Sequence, residues 1–131
     1  MKTVYMDYAA TTYVKPEVLN EMLPYFTEKF GNPSSFYGIS RETKMAIDKA
    51  RGQVAKALNC DMNEVYFTGG GSESDNWAIK GIASAHRKKG NHIITTKIEH
   101  HAVLHTCEYL EKNGFEVTYL DVNEEGFIDL E

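Results

Sequence analysis

At residues 67–76 the chain reads Phe67-Thr68-Gly69-Gly70-Gly71-Ser72-Glu73-Ser74-Asp75-Asn76. Apolar residues lead into these glycines from Val65, which predicts a short buried strand over residues 65–68. Ser72 then opens a segment that is typical of a helix. Glycines let backbone N–H groups come close to a ligand, and a helix N-terminus favours anions. The stretch therefore predicts a phosphate site at a strand-to-helix turn.

Two common nucleotide motifs do not fit this glycine loop. The Walker pattern needs a lysine directly after the glycines, and none is present. The dinucleotide fingerprint needs a further glycine where residues 72–75 stand. A structural alternative is a tight turn with Ser72 as N-cap and Asp75 in a capping box. The loop alone leaves the phosphate site and the structural turn open.

Strands and helices alternate downstream of the loop. The predicted helices cover residues 73–89 and 100–113, and the predicted strands cover residues 92–96 and 115–121. Gly90 and Gly114 are expected to end the two helices as C-caps. This alternation predicts an α/β fold with a parallel sheet and flanking helices.

Upstream of the loop the sequence predicts an N-terminal arm and two helices. Residues 1–14 form the arm, and residues 15–131 form one domain. The first helix begins at Pro16 and is bent or interrupted at Pro24. The second helix covers residues 40–59, with Ser40 as its N-cap. Its predicted buried stripe consists of Ile47, Ala50, Val54 and Leu58.

Histidines follow the strand predicted at residues 92–96. His100 stands at the carboxyl end of this strand, where ligands gather in open α/β sheets. Its imidazole could stack on an aromatic cofactor or move protons. His101 and His105 are four residues apart on one helix face, but a zinc site needs a third ligand. We therefore expect no metal site and a solvated or structural role for these two histidines.

Composition narrows the class of protein. The chain has 131 residues, 42% of them hydrophobic, and a net charge of −5. We expect a soluble domain that binds neither nucleic acid nor anionic membranes. With two cysteines and no apolar leader at its start, the chain is expected in a reducing cytoplasm.

Three further residues are expected to be structural. Cys107 lies on an apolar helix stripe, where inert cysteines are common. Cys60 precedes an aspartate, which disfavours a reactive thiolate. Trp77 is expected in the core.

Four blocks resemble the N-terminal third of cysteine desulfurases, which are pyridoxal phosphate (PLP) enzymes in the class V aminotransferase group. The blocks lie at residues 5–12, 30–35, 67–76 and 93–100 and keep the order and spacing of that family. The resemblance implies the N-terminal part of the large domain of fold type I. In that fold, strands from later in the sequence separate the strand before the glycine loop from the next two. Residues 65–68 are therefore expected to lie apart or to pair with another copy.

The resemblance also assigns roles to residues. The Gly71 backbone, together with the Ser72 backbone and hydroxyl, would hold the PLP phosphate. His100 would stack on the pyridine ring and shuttle protons. Residues 9–12 and Asn32 would line the substrate side. Alanine and threonine often stand in the family where this chain has Gly71 and Ser72.

The implied reaction converts L-cysteine to alanine and an enzyme-bound persulfide, which supplies iron–sulfur clusters or thiolated tRNA. A homodimer that works with scaffold or sulfur-acceptor proteins is expected. The family's Schiff-base lysine follows a Ser-x-His segment, and we expect no such segment here. The pyridinium aspartate and the sulfur-accepting cysteine come later in the family's sequence. The chain, which ends at residues that start a predicted helix (129–131), is therefore expected to be a truncated and inactive piece. Whether PLP binds without the lysine stays open.

Other functions also remain open from the sequence. Within the family, a selenocysteine lyase or another class V aminotransferase is possible. A non-catalytic module that binds a partner is a second interpretation. A metal-binding protein that uses His100, His101 and His105 is a third.

Overall fold

Residues 3–128 are described by the computed structural model, which divides the chain into one unit up to Tyr66 and another from Phe67. The elements of the first unit are α1 (Pro16–Met22), α2 (Pro24–Thr27), α3 (Gly38–Leu58) and a 3₁₀ turn (Met62–Glu64). The elements of the second are α4 (Gly71–His86), β1 (His92–Thr96), α5 (His101–Lys112) and β2 (Glu116–Leu120). The helix start predicted at residues 129–131 lies outside the described residues.

Prolines set the ends of the first two helices. Pro16 is the first residue of α1, and the preceding Lys15 is extended, as residues before proline usually are. Pro24 is the first residue of α2, and Leu23 separates the two helices. The predicted interruption at Pro24 is therefore confirmed.

Helix α3 begins two residues earlier than the sequence predicted. Tyr37 is its N-cap, so the prediction of Ser40 as N-cap is wrong. Ser40 instead lies inside the first turn, fully buried. At the other end Leu58 is 68% exposed, whereas Ala55 is buried. The predicted stripe is therefore wrong at Leu58, because Ala55 is the residue buried at this end, and Ile47, Ala50 and Val54 are only half-buried.

The second unit has a parallel sheet, as predicted. Strands β1 and β2 pair in register from His92 with Glu116 to Thr96 with Leu120. Helix α5 packs against both strands and against α4. Its buried residues Thr106, Cys107 and Leu110 form the core together with Phe115.

Helices α5 and α4 end differently. Gly114 has a φ of +87°, which a glycine adopts without strain, but the C-cap of α5 is Asn113, so Gly114 follows the cap and the prediction of Gly114 as C-cap is wrong. Helix α4 ends at His86, so Gly90 is not its C-cap and the predicted end at residue 89 is wrong. The Arg87 guanidinium lies 5.0 Å from the Phe115 ring centre and donates to the Asn113 carbonyl at 3.0 Å. These contacts hold the chain beside the sheet just after the helix.

Residues 65–68 do not form the predicted strand. Val65 is buried and extended at the end of the 3₁₀ turn, but β1 and β2 pair only with each other within residues 3–128. A strand needs a partner for its backbone groups. Here the Arg51 guanidinium donates to the Val65 carbonyl, so a side chain takes the place of a neighbouring strand.

Trp77 is 55% exposed, so its predicted core position is wrong.

Among the described residues, none of the helices combines the length and the apolar character needed to cross a bilayer.

Candidate cofactor site

The N-terminus of α4 presents backbone donors directly after the glycine loop. Gly70 is the N-cap, and its carbonyl accepts the first helical hydrogen bond from the Ser74 N–H at 3.1 Å. The N–H groups of Gly71, Ser72 and Glu73 precede that bond and therefore point out of the helix end. Ser72 is the second helical residue, so the alternative in which it caps the helix with Asp75 is wrong.

Glu73 stabilises the glycine loop through a hydrogen bond. Its Oε2 accepts a hydrogen bond from the Gly69 N–H at 2.6 Å. A Cβ at Gly69 would lie 3.1 Å from the same oxygen, so glycine permits this close approach. The loop is thus fixed by its own residues, and the helix-end N–H groups remain for a ligand. Sequence reasoning missed Glu73, although an acid three residues into a helix often reaches back to the preceding loop.

His100 caps the next helix with its imidazole. Its Nδ1 accepts from the Ala102 N–H at 3.1 Å, and its backbone is extended. An accepting Nδ1 carries no proton, so the neutral ring holds its proton on Nε2. The cap fixes the ring relative to α5 and leaves Nε2 for a ligand. This role also explains why α5 begins at His101, one residue later than predicted.

One cavity brings two of the predicted cofactor residues together. It has a volume of about 360 Å³, and both Ser72 and His100 line it. The complete lining is Ser72, Asn76, Lys80, His100, His101, Ala102, His105 and Thr106. Because Ser72 lies at the start of α4 and His100 at the start of α5, the cavity lies beside two helix N-termini.

Gly71, the third predicted cofactor residue, precedes Ser72 but does not line this cavity. A Cβ placed on Gly71 would have no other atom within 4 Å. An alanine, which often stands here in cysteine desulfurases, would therefore fit without displacing the loop.

A polar chain that sequence reasoning missed runs along α4. The Asn76 Nδ2 donates to the Ser72 carbonyl at 2.9 Å, and the Lys80 Nζ donates to the Asn76 Oδ1 at 2.7 Å. The same Nζ lies 4.6 Å from the Tyr109 ring centre. Residues 72, 76 and 80 are four apart, a spacing that places side chains on one helix face and could have revealed the chain.

The other two histidines of the cavity lining lie against each other. The rings of His101 and His105 stack at 5.2 Å with an interplanar angle of 22°. Within residues 3–128, no group of three or more histidine, cysteine or acidic side chains is placed to hold a metal ion. The geometry of this region gives the metal-binding interpretation no support.

The two cysteines differ in burial. Cys107 is 1% exposed, and burial raises the pKa of its thiol. Glu99 also raises this pKa, while a hydrogen bond with Thr95 opposes the shift. The structure therefore confirms the predicted core position of Cys107. Cys60 is half-buried.

The residues expected on the substrate side lie in the first unit. The Tyr5 hydroxyl donates to the Thr11 carbonyl at 3.2 Å, within the segment of residues 9–12. Asn32 accepts from the Ser34 N–H at 2.9 Å through its Oδ1. A role for either in substrate binding stays a prediction.

A Ser-x-His segment does occur, at Ser84-Ala85-His86, so the expectation that none is present is wrong. It lies in the last turns of α4 and is followed by Arg87. This run therefore does not supply the family's Schiff-base lysine.

The residues of the cavity fit a molecule with a phosphate at one end and an aromatic ring at the other. Helix-end N–H groups and the Ser72 hydroxyl are donors for a phosphate, and the flat His100 imidazole suits a ring. The ionisable side chains of the lining, Lys80 and three histidines, are all bases. The volume falls within the usual range for small-molecule sites, about 300–1,000 Å³. These features fit PLP.

Comparison with known proteins identifies close relatives. The aminotransferase class-V family model matches residues 4–131. The chain is 70% identical over 130 residues to the cysteine desulfurase IscS of Clostridium botulinum, covering 99% of this chain and 33% of the relative. It is 63% identical over 127 residues to the cysteine desulfurase IscS of Methanosarcina thermophila, covering 97% and 31%. The chain thus spans about a third of the length of these relatives.

Solved structures show the same fold. A NifS-like protein matches with a TM-score of 0.93 and 44% identity, covering 97% of this chain and 35% of its own. A structure described as SspA in complex with cysteine matches with a TM-score of 0.91 and 43% identity, covering 97% and 37%. The predicted fold class, the N-terminal part of a PLP fold type I large domain, is confirmed by these matches.

Proposed function

The chain belongs to the class-V aminotransferase family, whose cofactor is PLP, and we propose that it supplies the phosphate and ring subsites of a cysteine desulfurase. The reaction would take L-cysteine to L-alanine and leave sulfur as an enzyme-bound persulfide. The identity to IscS proteins supports this choice within the family, as does the NifS-like structure.

The observation that carries the proposal is the cavity shared by Ser72 and His100. These are two of the residues that the family resemblance assigns to the cofactor. They come from the starts of different helices, about 28 residues apart in the chain, and they line one space of suitable volume. A glycine turn formed only for structural reasons would not require a histidine there.

The residues of this chain would act in binding and in proton handling. Ser72 would donate its hydroxyl and backbone N–H to the cofactor phosphate, with the α4 dipole favouring the negative charge. His100 would pack its ring against the pyridine, held in place by its capping bond to Ala102. Its Nε2 is then the nitrogen that can hold or transfer a proton. When bound, PLP supplies the electron sink that lets bonds at the substrate α-carbon break.

The 131-residue chain by itself is proposed to be inactive. PLP chemistry in this family needs a lysine that holds the cofactor, and the printed sequence has no Ser-x-His-Lys run. We expect neither alanine nor sulfide from L-cysteine when the purified chain is incubated with PLP. Steady release of both products by the chain would contradict this part of the proposal.

A chimera tests the function independently of what surrounds this sequence. Residues 1–131 would replace the matching third of the Clostridium botulinum IscS, to which they are 70% identical. In the presence of a thiol reductant, which reduces the persulfide and frees its outer sulfur as sulfide, the chimera should release alanine and sulfide from L-cysteine at a rate near that of the relative. Ser72→Ala should raise the PLP concentration needed for activity, because it removes a phosphate donor. His100→Ala should lower turnover even at saturating PLP.

The chimera experiment needs a control substitution outside the cofactor site. Gly38→Ala changes an exposed site at the start of α3 and should leave the chimera unaffected. A folded chimera that binds PLP but releases neither product would overturn the assignment to desulfurases. Release of selenide but not sulfide from the corresponding amino acids would favour a selenocysteine lyase.

The remaining assignments are also proposals. We propose a cytoplasmic homodimer that delivers sulfur to scaffold or acceptor proteins and binds neither nucleic acid nor membranes. The net charge of −5 supports the last point. Exposed apolar side chains such as Met6 and Phe36 support a protein whose surface is covered by further protein.

A further inference from the structure

We propose that Lys80 is a positioning residue that holds α4 against α5 and so keeps the phosphate and ring subsites at the spacing that PLP spans. This inference rests on the proposed function, because it concerns the same cavity. It assigns a task to the one lysine in the cavity lining.

On α4, Lys80 is tied to the phosphate end of the cavity through Asn76. The Lys80 Nζ donates to the Asn76 Oδ1 at 2.7 Å. Asn76 in turn donates to the Ser72 carbonyl at 2.9 Å. Helical side chains lean toward the N-terminus, so the ammonium lies nearer to Ser72 than its own Cα does. The amide of Asn76 thereby connects the ammonium to the backbone of the phosphate-binding turn.

On the other side, the same ammonium contacts α5. Its Nζ lies 4.6 Å from the ring centre of Tyr109, within the distance at which a cation is attracted to an aromatic face. Lys80 is half-buried, so water screens this attraction only in part. A single charge therefore engages both helices that begin at the cavity.

The spacing of these helices matters because each supplies one half of the site. Ser72 is the second residue of α4, and His100 is the N-cap of α5. A ligand with a phosphate at one end and a ring at the other gains both contacts only when the two helix starts are correctly spaced. Pyridoxal, which lacks the phosphate, needs only the ring subsite and should not depend on the spacing.

The experiment measures the affinities of the purified chain for PLP and for pyridoxal. Quenching of Trp77, the one tryptophan of the chain, reports binding. Lys80→Met and Tyr109→Leu should each lower the preference for PLP over pyridoxal, by about three- to tenfold for the loss of a partly buried cation–π contact. The double variant should lose no more than Lys80→Met alone, because that change already removes the contact with Tyr109. Lys80→Arg should restore the preference.

The control and the contrary outcomes separate positioning from simple charge. Lys88→Met removes the same charge just beyond the end of α4 and should leave the preference unchanged. If Lys80→Met lowers the preference but Tyr109→Leu does not, Lys80 acts by charge alone and the positioning role is wrong. Equal loss of both ligands in the two variants would also overturn it, since this would indicate a general structural defect.

Binding to the unsubstituted chain distinguishes failure of the role proposed for Lys80 from failure of the proposed function. If it shows no preference for PLP over pyridoxal, the proposed function fails for this chain and the role of Lys80 fails with it. If it prefers PLP and every variant keeps that preference, only the positioning role is overturned.

Discussion

At the scale of single residues, Gly31 shows why a loop motif can be structurally strict. It is buried, and a Cβ built on it would lie 2.7 Å from the carbonyl carbon and oxygen of Ile39 and 2.8 Å from the Ser40 nitrogen. Those are backbone atoms of the first turn of α3, so they cannot move aside as a flexible side chain could. A local sequence pattern could not reveal this contact, which joins residues eight or nine positions apart.

Gly31→Ala should therefore destabilise the protein strongly. We expect a loss of about 2–4 kcal/mol in the free energy of unfolding, as for an overpacked buried site. Urea unfolding followed by circular dichroism measures it. Gly38→Ala is the matched control, because a Cβ there has no other atom within 4 Å. Equal stability of the two variants would show that α3 does not pack on Gly31.

Cys107 gives a second prediction for a single side chain. Burial raises the pKa of its thiol, so less thiolate forms at a given pH and alkylation slows. Iodoacetamide at pH 8 should label the half-buried Cys60 well before Cys107, which should react only after unfolding. Peptide mass spectrometry over a time course identifies the order, and faster labelling of Cys107 would contradict its burial.

The same thiol affects stability at alkaline pH. A pKa that is higher in the folded than in the unfolded state means that the folded chain keeps the proton longer. The buried neutral thiol therefore contributes to the free energy of unfolding below the unfolded pKa, about 8.5. This contribution to stability is lost as pH rises through the folded pKa.

At the scale of elements, the hydrophobic pattern of the sequence predicted most accurately those elements that have packing or pairing partners within the described residues. Strand β1 was predicted with the bounds that it has, His92–Thr96, and it pairs with β2. Residues 65–68 have a similarly apolar pattern but no neighbouring strand among residues 3–128, so propensity alone did not produce a strand there. At the start of α4, Glu73 contacts Gly69 only four residues earlier, a local signal that was missed. Just after its end, Arg87 contacts Asn113, which is 26 residues away and lies outside any local pattern.

The sequence predicted two residues of the candidate site but not the contacts between its helices. Ser72 and His100 follow from motifs and family resemblance, and the structure places them on one cavity. The contact from Lys80 to Tyr109 crosses between α4 and α5, and only the packing of these helices reveals it.

His100 supports a prediction that separates capping from cofactor binding. Its Nδ1 caps α5 through Ala102, so His100→Ala should lower stability by about 1 kcal/mol, as for a lost N-cap. Asparagine is a good N-cap, so His100→Asn should keep most of the stability but lose the flat ring. Urea unfolding together with PLP titration checks both effects. If His100→Asn binds PLP as tightly as the unsubstituted chain, the ring has no role in the cofactor site.

At the scale of the whole molecule, the chain exposes much apolar surface. Met6 is 85% exposed and Ile94, in the middle of β1, is 63% exposed. The two-stranded sheet also has edges that are not covered by another strand within residues 3–128. Such surfaces and edges favour association with further protein.

The purified chain is therefore expected to self-associate as its concentration rises. Sedimentation velocity at several concentrations measures this, and the apparent mass should increase with concentration. A strictly monomeric chain over the whole range would contradict association between copies, including the predicted pairing of residues 65–68.

The proposed function depends above all on Ser72 and His100 holding the two ends of one PLP molecule. Equilibrium dialysis of the purified chain against PLP and against pyridoxal measures whether they do. We expect saturable binding with a preference for PLP, without the colour that a lysine-bound cofactor gives. Ser72→Ala should lower the affinity for PLP alone, and His100→Ala should lower the affinity for both ligands. No saturable PLP binding, or the same PLP affinity in both variants as in the unsubstituted chain, would show that Ser72 and His100 do not hold the cofactor.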